Sequence, residues 1–474
     1  MFCVLKLDDE LVKGGYFVKK IIYWAFLIIL LSACGSTSSQ NITAQKNESL
    51  AVFCLGDLKD SAMMRLALDR YQEVYPDIKV ELIKPEYDFG SFDLRDELYN
   101  HVAAQIMAGE GPDVFIVDDI IMDVEKLVRQ GIFADMEPFF EEDQFNWEPY
   151  NKAVLDGGVW NGKRFIIPIS YDFPLLVTSQ TALKETGFNV DACKDYQGFL
   201  DETTRYMQDF SQTRQLFRNA LSVTDVVEFS GISIADYDTK NVDLSSPLLY
   251  AGFQWYKAVM ESCPTDYCDF HNDSALYGAA AIRNGDVLWT PALTGSFSNF
   301  FTNFAALKTI DEAVMMPIRD IEGGIQAKIR YPVAVRANSE NLQNAYNYIK
   351  ILLSFEVQSA IGLEELSVLN PANEFLYEKI SQGKNHHIEA GVNGFTGTVN
   401  PNESIDWPTH EEFQQFVGFT QEITGTYYNN HLSPKAAMYS YVYENSDFQE
   451  TLKTRRIKWK YIYRNKCILL IRCI

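Results

Sequence analysis

The chain has 474 residues, too many for one ordinary hydrophobic core, so its length predicts two lobes or domains. Apolar residues make up 47% and aromatic residues 14% of the sequence, which is enough to build such cores. The formal net charge of −23 is unevenly distributed, because residues 453–474 contain eight basic residues and no acidic one, whereas residues 34–452 carry −32. A body this acidic repels nucleic acid and anionic lipid, which argues against polynucleotide binding.

The N-terminus has the layout of a secretory signal. Lys19 and Lys20 precede an apolar run at 21–31 that is shorter than the roughly 20 residues of a membrane span. The run ends in "LSAC", which resembles the lipobox of bacterial lipoproteins. That resemblance implies removal of residues 1–33 and lipidation of Cys34, with the protein held at the extracytoplasmic face of the cell membrane. A buried strand that ends in cysteine is the alternative.

Two further features flank this signal. The polar segment 34–48 is typical of a flexible tether that follows the lipidated cysteine. The acidic segment 1–17 precedes the basic pair, where signals usually begin, which favours a translation start near Val18.

Strand and helix patterns alternate after the tether. The expected elements are a strand at 49–57, a helix at 60–76 with Asp60 as N-cap, a strand at 78–83, a helix at 93–111 and a buried strand at 113–119. This alternation predicts an open parallel sheet with helices on its faces.

The next segment, 158–179, has a different pattern. Asn161-Gly162 predicts a hairpin turn, and Pro168 and Pro174 interrupt the apolar run that follows, as in a strand that passes from one lobe to another. Residues 180–285 are mostly amphipathic helix. Residues 340–363 predict an amphipathic helix or helix pair that buries one face, formed by Ala345, Tyr348, Ile349, Leu352 and Leu353.

The cysteines and histidines form no metal-binding pattern. There is no CxxC pair and no zinc spacing, so we expect neither a metal nor a cofactor. Cys54 lies in an apolar strand and is expected to pack as a small hydrophobe, while Cys263 and Cys268 could close a small loop in an oxidising compartment.

Four segments in order carry a family resemblance: "YQEVYPDIKVELI", "IMAGEGPDVFIVDD", "GGVWNGKRFIIPISYDFPLLVTSQTALKETG" and "YPVAVRANSENLQNAYNYIKILLSFEVQ". A fifth, weaker match is "ALYGAAAIRNGDVLWT". Together they resemble the extracellular solute-binding proteins of ABC importers, in the large family that includes oligosaccharide binders.

The resemblance implies an α/β fold with two lobes, each a mixed sheet flanked by helices. Crossover strands join the lobes, and the ligand cleft lies between them. The expected lobes are 50–165 with about 285–335, and about 166–284 with 336–452. The basic tail, 453–474, is atypical of the family and has two explanations, a membrane-surface segment or a reading-frame slip near Lys453.

The function implied is binding without chemistry. A lipoprotein of this family, a monomer, captures a carbohydrate by hinge closure and delivers it to the permease subunits of an ABC transporter. Two alternatives remain: a lipoprotein glycosidase and a sugar sensor without a permease. The sequence contains no G-x-S-x-G, HExxH or P-loop motif that would favour an enzyme.

Ligand-binding residues are expected at strand ends and at the crossover. The resemblance places Tyr171, Asp172 and Phe173 at the crossover, and Trp289 at another cleft position. Strand-end carboxylates and a glycine pair complete the set with Asp57, Asp118, Asp119 and Gly324. Trp289 could equally be core, and Asp118-Asp119 could cap a helix.

Overall fold

The computed structural model describes sixteen stretches of the chain, and the statements below concern these residues. They are 49–54, 61–83, 104–105, 108, 110–116, 124–210, 213–216, 223–236, 241–243, 245–262, 278–290, 295–297, 299–308, 311–362, 365–382 and 408–426. The expected signal, tether and basic tail lie outside them.

The described elements alternate between short strands and helices. The strands are β1 (Ser49–Cys54), β2 (Lys79–Ile83), β3 (Val114–Ile116), β4 (Val159–Trp160), β5 (Lys163–Arg164), β6 (Ser170–Asp172), β7 (Leu175–Ser179), β8 (Ala235–Asp236), β9 (Asn241–Val242), β10 (Ala313–Pro317), β11 (Ile325–Arg330), β12 (Val333–Val335), β13 (Leu366–Ser367) and β14 (Ile423–Thr426). The α-helices are α1 (Ala62–Val74), α2 (Val124–Arg129), α3 (Glu137–Glu142), α4 (Lys152–Asp156), α5 (Gln180–Thr186), α6 (Tyr196–Phe210), α7 (Val223–Ser230), α8 (Pro247–Ser262), α9 (Gly278–Arg283), α10 (Ala305–Lys308), α11 (Leu342–Leu352), α12 (Phe355–Gln358), α13 (Asn370–Ser381) and α14 (His410–Gln421). A 3₁₀ helix covers Val190–Ala192 and a π-helix covers Asn299–Phe304.

The first sheet has the strand order β12-β3-β1-β2. β1 runs parallel to β2 and β3, so Val52 lies opposite both Leu82 and Val114. β12 comes from much later in the chain and joins β3 antiparallel, which makes the sheet mixed. β3 and β12 are buried throughout, as expected of strands covered on both faces. Cys54 is fully buried at the end of β1, as predicted for a small hydrophobe packed in a strand.

Two amphipathic helices pack together beside this sheet. The Ser61 hydroxyl accepts a hydrogen bond from the Met64 amide (3.1 Å), so Ser61, and not the predicted Asp60, is the N-cap of α1. α1 packs on α11, where the Tyr71 and Tyr348 rings meet edge to face at 5.6 Å. The predicted face of α11 is fully buried. The chain turns at Leu353 and restarts as α12, so the predicted helix pair is confirmed.

A buried carboxylate joins three segments at the edge of this layer. Asp113 Oδ2 accepts from the Ala51 amide (2.9 Å) and from Asn341 Nδ2 (3.0 Å). Its Oδ1 accepts from Ser339 Oγ (2.6 Å) and lies 3.5 Å from Arg336 Nη2. Asp113 is only 6% exposed, and such a charge is tolerated because these donors replace water.

The chain leaves the first sheet through the region predicted as a crossover. Asn161 and Gly162 have φ of 51° and 75° and form the expected hairpin turn between β4 and β5. Ile167 still bridges to Val333 of the first sheet. β6 then enters a second sheet, of order β13-β6-β11-β14, and β7 pairs with β10.

Helices α6, α7 and α8 form the layer that follows this crossover, and α8 packs on both of the others. The Tyr196 hydroxyl donates to the Val226 carbonyl (2.9 Å), which joins α6 to α7. Phe199 meets Trp255 edge to face at 5.4 Å, which joins α6 to α8. The predicted helical character of this segment is confirmed.

The last described helix, α14, begins at a capping box. Thr409 Oγ1 accepts from the Glu412 amide, and the Glu412 carboxylate accepts from the Thr409 amide. Lys308 Nζ lies 2.6 Å from Glu412 Oε2, which attaches the helix to α10. No helix in the described part of the chain combines the length and the hydropathy needed to cross a bilayer.

Replacement of Asp113 tests the importance of its hydrogen bonds. We expect Asp113→Ala to lower the free energy of unfolding by about 3–5 kcal/mol, because it leaves several buried donors without an acceptor. Asp69→Ala, on the exposed side of α1, is the matched control and should change stability by less than about 0.5 kcal/mol. Urea denaturation followed by circular dichroism measures both values, and equal stability of the two variants would contradict this role.

Candidate functional site

Tyr171 lies at the centre of the crossover, in β6. It faces Ile329 of β11 and Leu366 of β13 in the sheet register, and its side chain is fully buried. Asn151 Nδ2 lies 3.4 Å from the Tyr171 hydroxyl and donates to the Thr420 carbonyl at 3.0 Å. Burial raises the pKa of Tyr171 to about 12, so the phenol stays protonated at physiological pH.

Asp172 and Phe173 complete the predicted crossover set. Asp172 Oδ2 lies 3.5 Å from Arg330 Nε, and the aspartate is 7% exposed. The Phe173 ring is fully buried and lies 5.7 Å from the Phe416 ring of α14. The Gly295 amide donates to the Phe173 carbonyl, and a Cβ at Gly295 would come within 2.6 Å of the Phe173 ring. In this structure, protein atoms therefore cover both side chains.

Trp289 is also inside the protein. Its backbone bonds to Leu216, and its ring meets Phe188 edge to face at 5.3 Å. The indole Nε1 is buried and has no hydrogen-bond partner among the described residues. The ring is fully buried, so a ligand could reach it only after the surrounding side chains moved. Its role in binding stays a prediction.

Gly324 lies in the turn before β11. Its amide donates to Asp320 Oδ1 at 2.8 Å, and a Cβ added at this position would overlap the Thr424 side chain. The close approach at this glycine is therefore made by the protein itself, and a ligand contact stays a prediction. The other predicted positions, Cys34, Asp57, Asp118 and Asp119, lie outside the described residues.

An open cavity of about 300 Å³ adjoins the crossover. We call it the α13–α14 cavity, after the two helices that supply most of its walls. Its lining residues are Pro149, Leu366, Asn370, Pro371, Asn373, Glu374, Phe413, Phe416, Val417 and Thr420. Leu366 pairs with Tyr171 and Phe416 packs on Phe173, so one layer of side chains separates the cavity from the predicted ligand residues.

The aromatic wall of the cavity is held by stacking. Phe413 stacks on Tyr377 with ring centroids 4.1 Å apart, and Phe416 stacks on Phe300 of the π-helix at 4.6 Å. Both phenylalanine rings are fully buried, so a ligand could pack on them only after neighbouring side chains moved. In the sequence the π-helix is visible only as a phenylalanine-rich run. Single turns of π-helix are frequent at functional sites.

The polar groups of the cavity lie mainly on α13. Asn373 is committed to the fold, because its side chain bonds to both the amide and the carbonyl of Ser367. Asn370 is exposed at the start of the helix. Glu374 lies 3.4 Å from Gln414 Nε2 and 3.6 Å from His410 Nδ1, both on α14. The cavity thus has an apolar floor with an amide and a carboxylate at its opening.

Sequence reasoning did not find these cavity residues. The only available signal was the capping box of α14, a Thr-x-x-Glu pattern before an apolar run. Nothing in the sequence indicated that α14 would face α13.

Residues 56–205 match the family model for the bacterial extracellular solute-binding proteins. The match covers about a third of the chain, which is similar to this family over that segment. Members of the family are binding proteins and not enzymes, which favours binding over the glycosidase alternative. No curated protein matches the sequence. Among the described residues there is also no group of side chains suited to a metal ion.

Three solved structures have a fold similar to that of this chain. The family 1 extracellular solute-binding protein of Alicyclobacillus acidocaldarius has a TM-score of 0.50 at 14% identity, over 88% of this chain and 99% of that one. A sugar transporter from Rhizobium etli, in an open conformation, has a TM-score of 0.52 at 16% identity, over 87% and 99%. The cyclic alpha-maltosyl-1,6-maltose binding protein of Arthrobacter globiformis has a TM-score of 0.52 at 13% identity, over 89% and 97%. The predicted α/β binding-protein fold is therefore confirmed.

The contact between Gly295 and Phe173 gives a second test. We expect Gly295→Ala to destabilise the protein by about 1–3 kcal/mol, because the new methyl group overlaps a ring that cannot move without disturbing α14. Gly418→Ala, in α14 with open space around its α-carbon, should instead stabilise by up to about 1 kcal/mol. Thermal denaturation compares the two variants, and a neutral Gly295→Ala would show that Phe173 is not held as described.

Proposed function

We propose that this solute-binding protein captures a carbohydrate in the α13–α14 cavity. The observation that carries the proposal is the lining of the cavity, where two prolines stand beside an amide and a carboxylate, and two phenylalanine rings are fully buried among neighbouring side chains. Sugars have apolar C–H faces that pack on such surfaces, and hydroxyl groups that bond to amides and carboxylates. The sugar-related names of the Rhizobium etli and Arthrobacter globiformis proteins support the same ligand class.

The size of the cavity favours a short segment of saccharide. About 300 Å³ lies at the small end of the range for ligand sites, and the cavity is partly open to solvent. A longer oligosaccharide would place one or two rings inside and extend outward through the opening.

Capture is proposed to use hinge motion at the crossover. Tyr171 and Phe173 are fully buried, and Phe416 of α14 packs on Phe173, so Phe173 can contact a solute only if that helix shifts relative to β6. A ligand that binds the rearranged form better than the covered form would bias the population toward it. The crossover side chains would then join the cavity residues in the complex.

The contacts also suggest a division into lobes that differs in part from the one expected. α11 packs on α1, and β12 belongs to the first sheet, so we place 333–358 with the first lobe. β10 pairs with β7, so we place 313–317 with the second lobe. In both lobes, an element from the later part of the chain packs on or pairs with an element from the earlier part.

We further propose that Cys34 anchors the protein by lipid at the extracytoplasmic face of the membrane, and that the permease of an ABC transporter receives the solute. The family is extracellular, which agrees with such a location. A monomer suits this arrangement, because one binding protein delivers to one permease.

Binding is tested first with the purified protein without its signal. We expect at least one neutral oligosaccharide in a panel of glucose-, mannose- and galactose-based chains to raise the melting temperature, because it binds the native state alone. Chromatography of the mixture should show no products. Release of smaller sugars, or no shift with any saccharide, would contradict the proposed function.

A variant localises the binding. Asn370→Ala should weaken affinity for the best ligand about threefold to tenfold, because it removes one hydrogen-bonding group from the opening of the cavity. Gln382→Ala, at the other end of α13, is the control. Titration calorimetry measures both, and equal affinities would place the ligand elsewhere.

The anchor is tested in cells. Cys34→Ser should release the protein from the membrane fraction and abolish labelling by palmitate, because serine cannot carry the thioether-linked lipid. Unchanged fractionation of the variant would contradict the anchor.

A further inference from the structure

The α13–α14 cavity carries an uneven charge. Among the described residues that line it, Glu374 is the only one with an ionisable side chain, and none is lysine or arginine. The nearby cation that packs on α14, Lys308, is paired with Glu412 at 2.6 Å. A ligand in the cavity therefore meets one negative charge and no compensating positive charge from the lining.

The Glu374 carboxylate keeps capacity for a ligand. In the described part of the chain, Gln414 Nε2 at 3.4 Å and His410 Nδ1 at 3.6 Å lie beside it, both beyond good hydrogen-bond distance. Both belong to exposed side chains, and the glutamate side chain itself is 39% exposed. A carboxylate has about four acceptor positions, so hydroxyl groups of a solute can bond to it without breaking a buried interaction.

We propose that Glu374 makes this cavity selective for neutral saccharides over acidic ones such as uronates. The inference rests on the proposed function and names the class of sugar. Glu374 would accept hydrogen bonds from hydroxyl groups, and charged acceptors form the stronger bonds of this type. In an acidic sugar, a carboxylate takes the place of a hydroxyl donor. Its negative charge would lie close to the negative charge of Glu374, and this repulsion opposes binding.

The net charge of the whole chain repels an acidic sugar as well, in addition to the local repulsion by Glu374. A net charge of −23 repels every anion at long range, but salt at about 0.15 M screens charges farther than about 8 Å. Glu378 lies one turn further along α13, is exposed and is not part of the lining. Glu378→Gln therefore removes the same charge from the same helix without changing the cavity.

The test compares matched ligands in three proteins. The probes are maltose, cellobiose and mannobiose, each with the derivative oxidised to a carboxylate at C6, measured by calorimetry at about pH 8, where histidine is neutral, and about 0.15 M salt. We expect the wild-type protein to bind the preferred neutral disaccharide at least about tenfold more tightly than its carboxylate derivative. Glu374→Gln should reduce that ratio to about threefold or less, and Glu378→Gln should leave it unchanged.

The possible failures are distinct. Equal or tighter binding of the carboxylate derivative by the wild-type protein would overturn the role of Glu374 while leaving carbohydrate capture intact. The same holds for an unchanged ratio in Glu374→Gln. If none of the six probes bound, carbohydrate capture at this cavity would be contradicted, and the selectivity proposal with it.

Discussion

The hydrogen bonds of Asp113 determine how the first part of the chain meets the later part. One carboxylate bonds to the start of β1 and to the segment that leads into α11, which lie far apart in sequence. Asn341 extends the arrangement by donating to the Ser49 carbonyl at 3.0 Å. Because these donors satisfy a buried charge, β12 is held against β3 and α11 is held against α1. The first sheet therefore needs residues from both sides of the crossover to be complete.

Because β12 returns to the first sheet, the crossover between the sheets is limited to a few residues. Ile167 still belongs beside β12, and only a few residues later β7 pairs with β10. β6 lies between these two points, buried and bonded on both edges. A short, well-bonded connection of this kind suits a hinge, since movement can be limited to a few backbone angles while the layers on either side stay intact. α14 lies directly on this connection through Phe416, so any movement there must involve that helix.

Local features could be predicted from the sequence, and distant ones could not. The Asn161-Gly162 turn, the buried face of α11 and the strand character of β1 to β3 follow from residue type and periodicity, which act over a few residues. The N-cap of α1 was predicted one residue too early, because Asp60 and Ser61 are both good capping residues and sequence alone does not rank them. The mixed first sheet and the α13–α14 cavity depend on contacts between segments distant in sequence. No local pattern shows that Phe416 will lie on Phe173, or that Glu374 will face α14.

The central claim is that the solute occupies the cavity beside the crossover, and a crystal structure with a bound neutral saccharide tests it most directly. We expect sugar density between α13 and α14, with a ring packed against Pro149 or Pro371 and a hydroxyl group within hydrogen-bond distance of Glu374. An ordered saccharide bound elsewhere, for example against Trp289, with this cavity unchanged and without sugar, would contradict it.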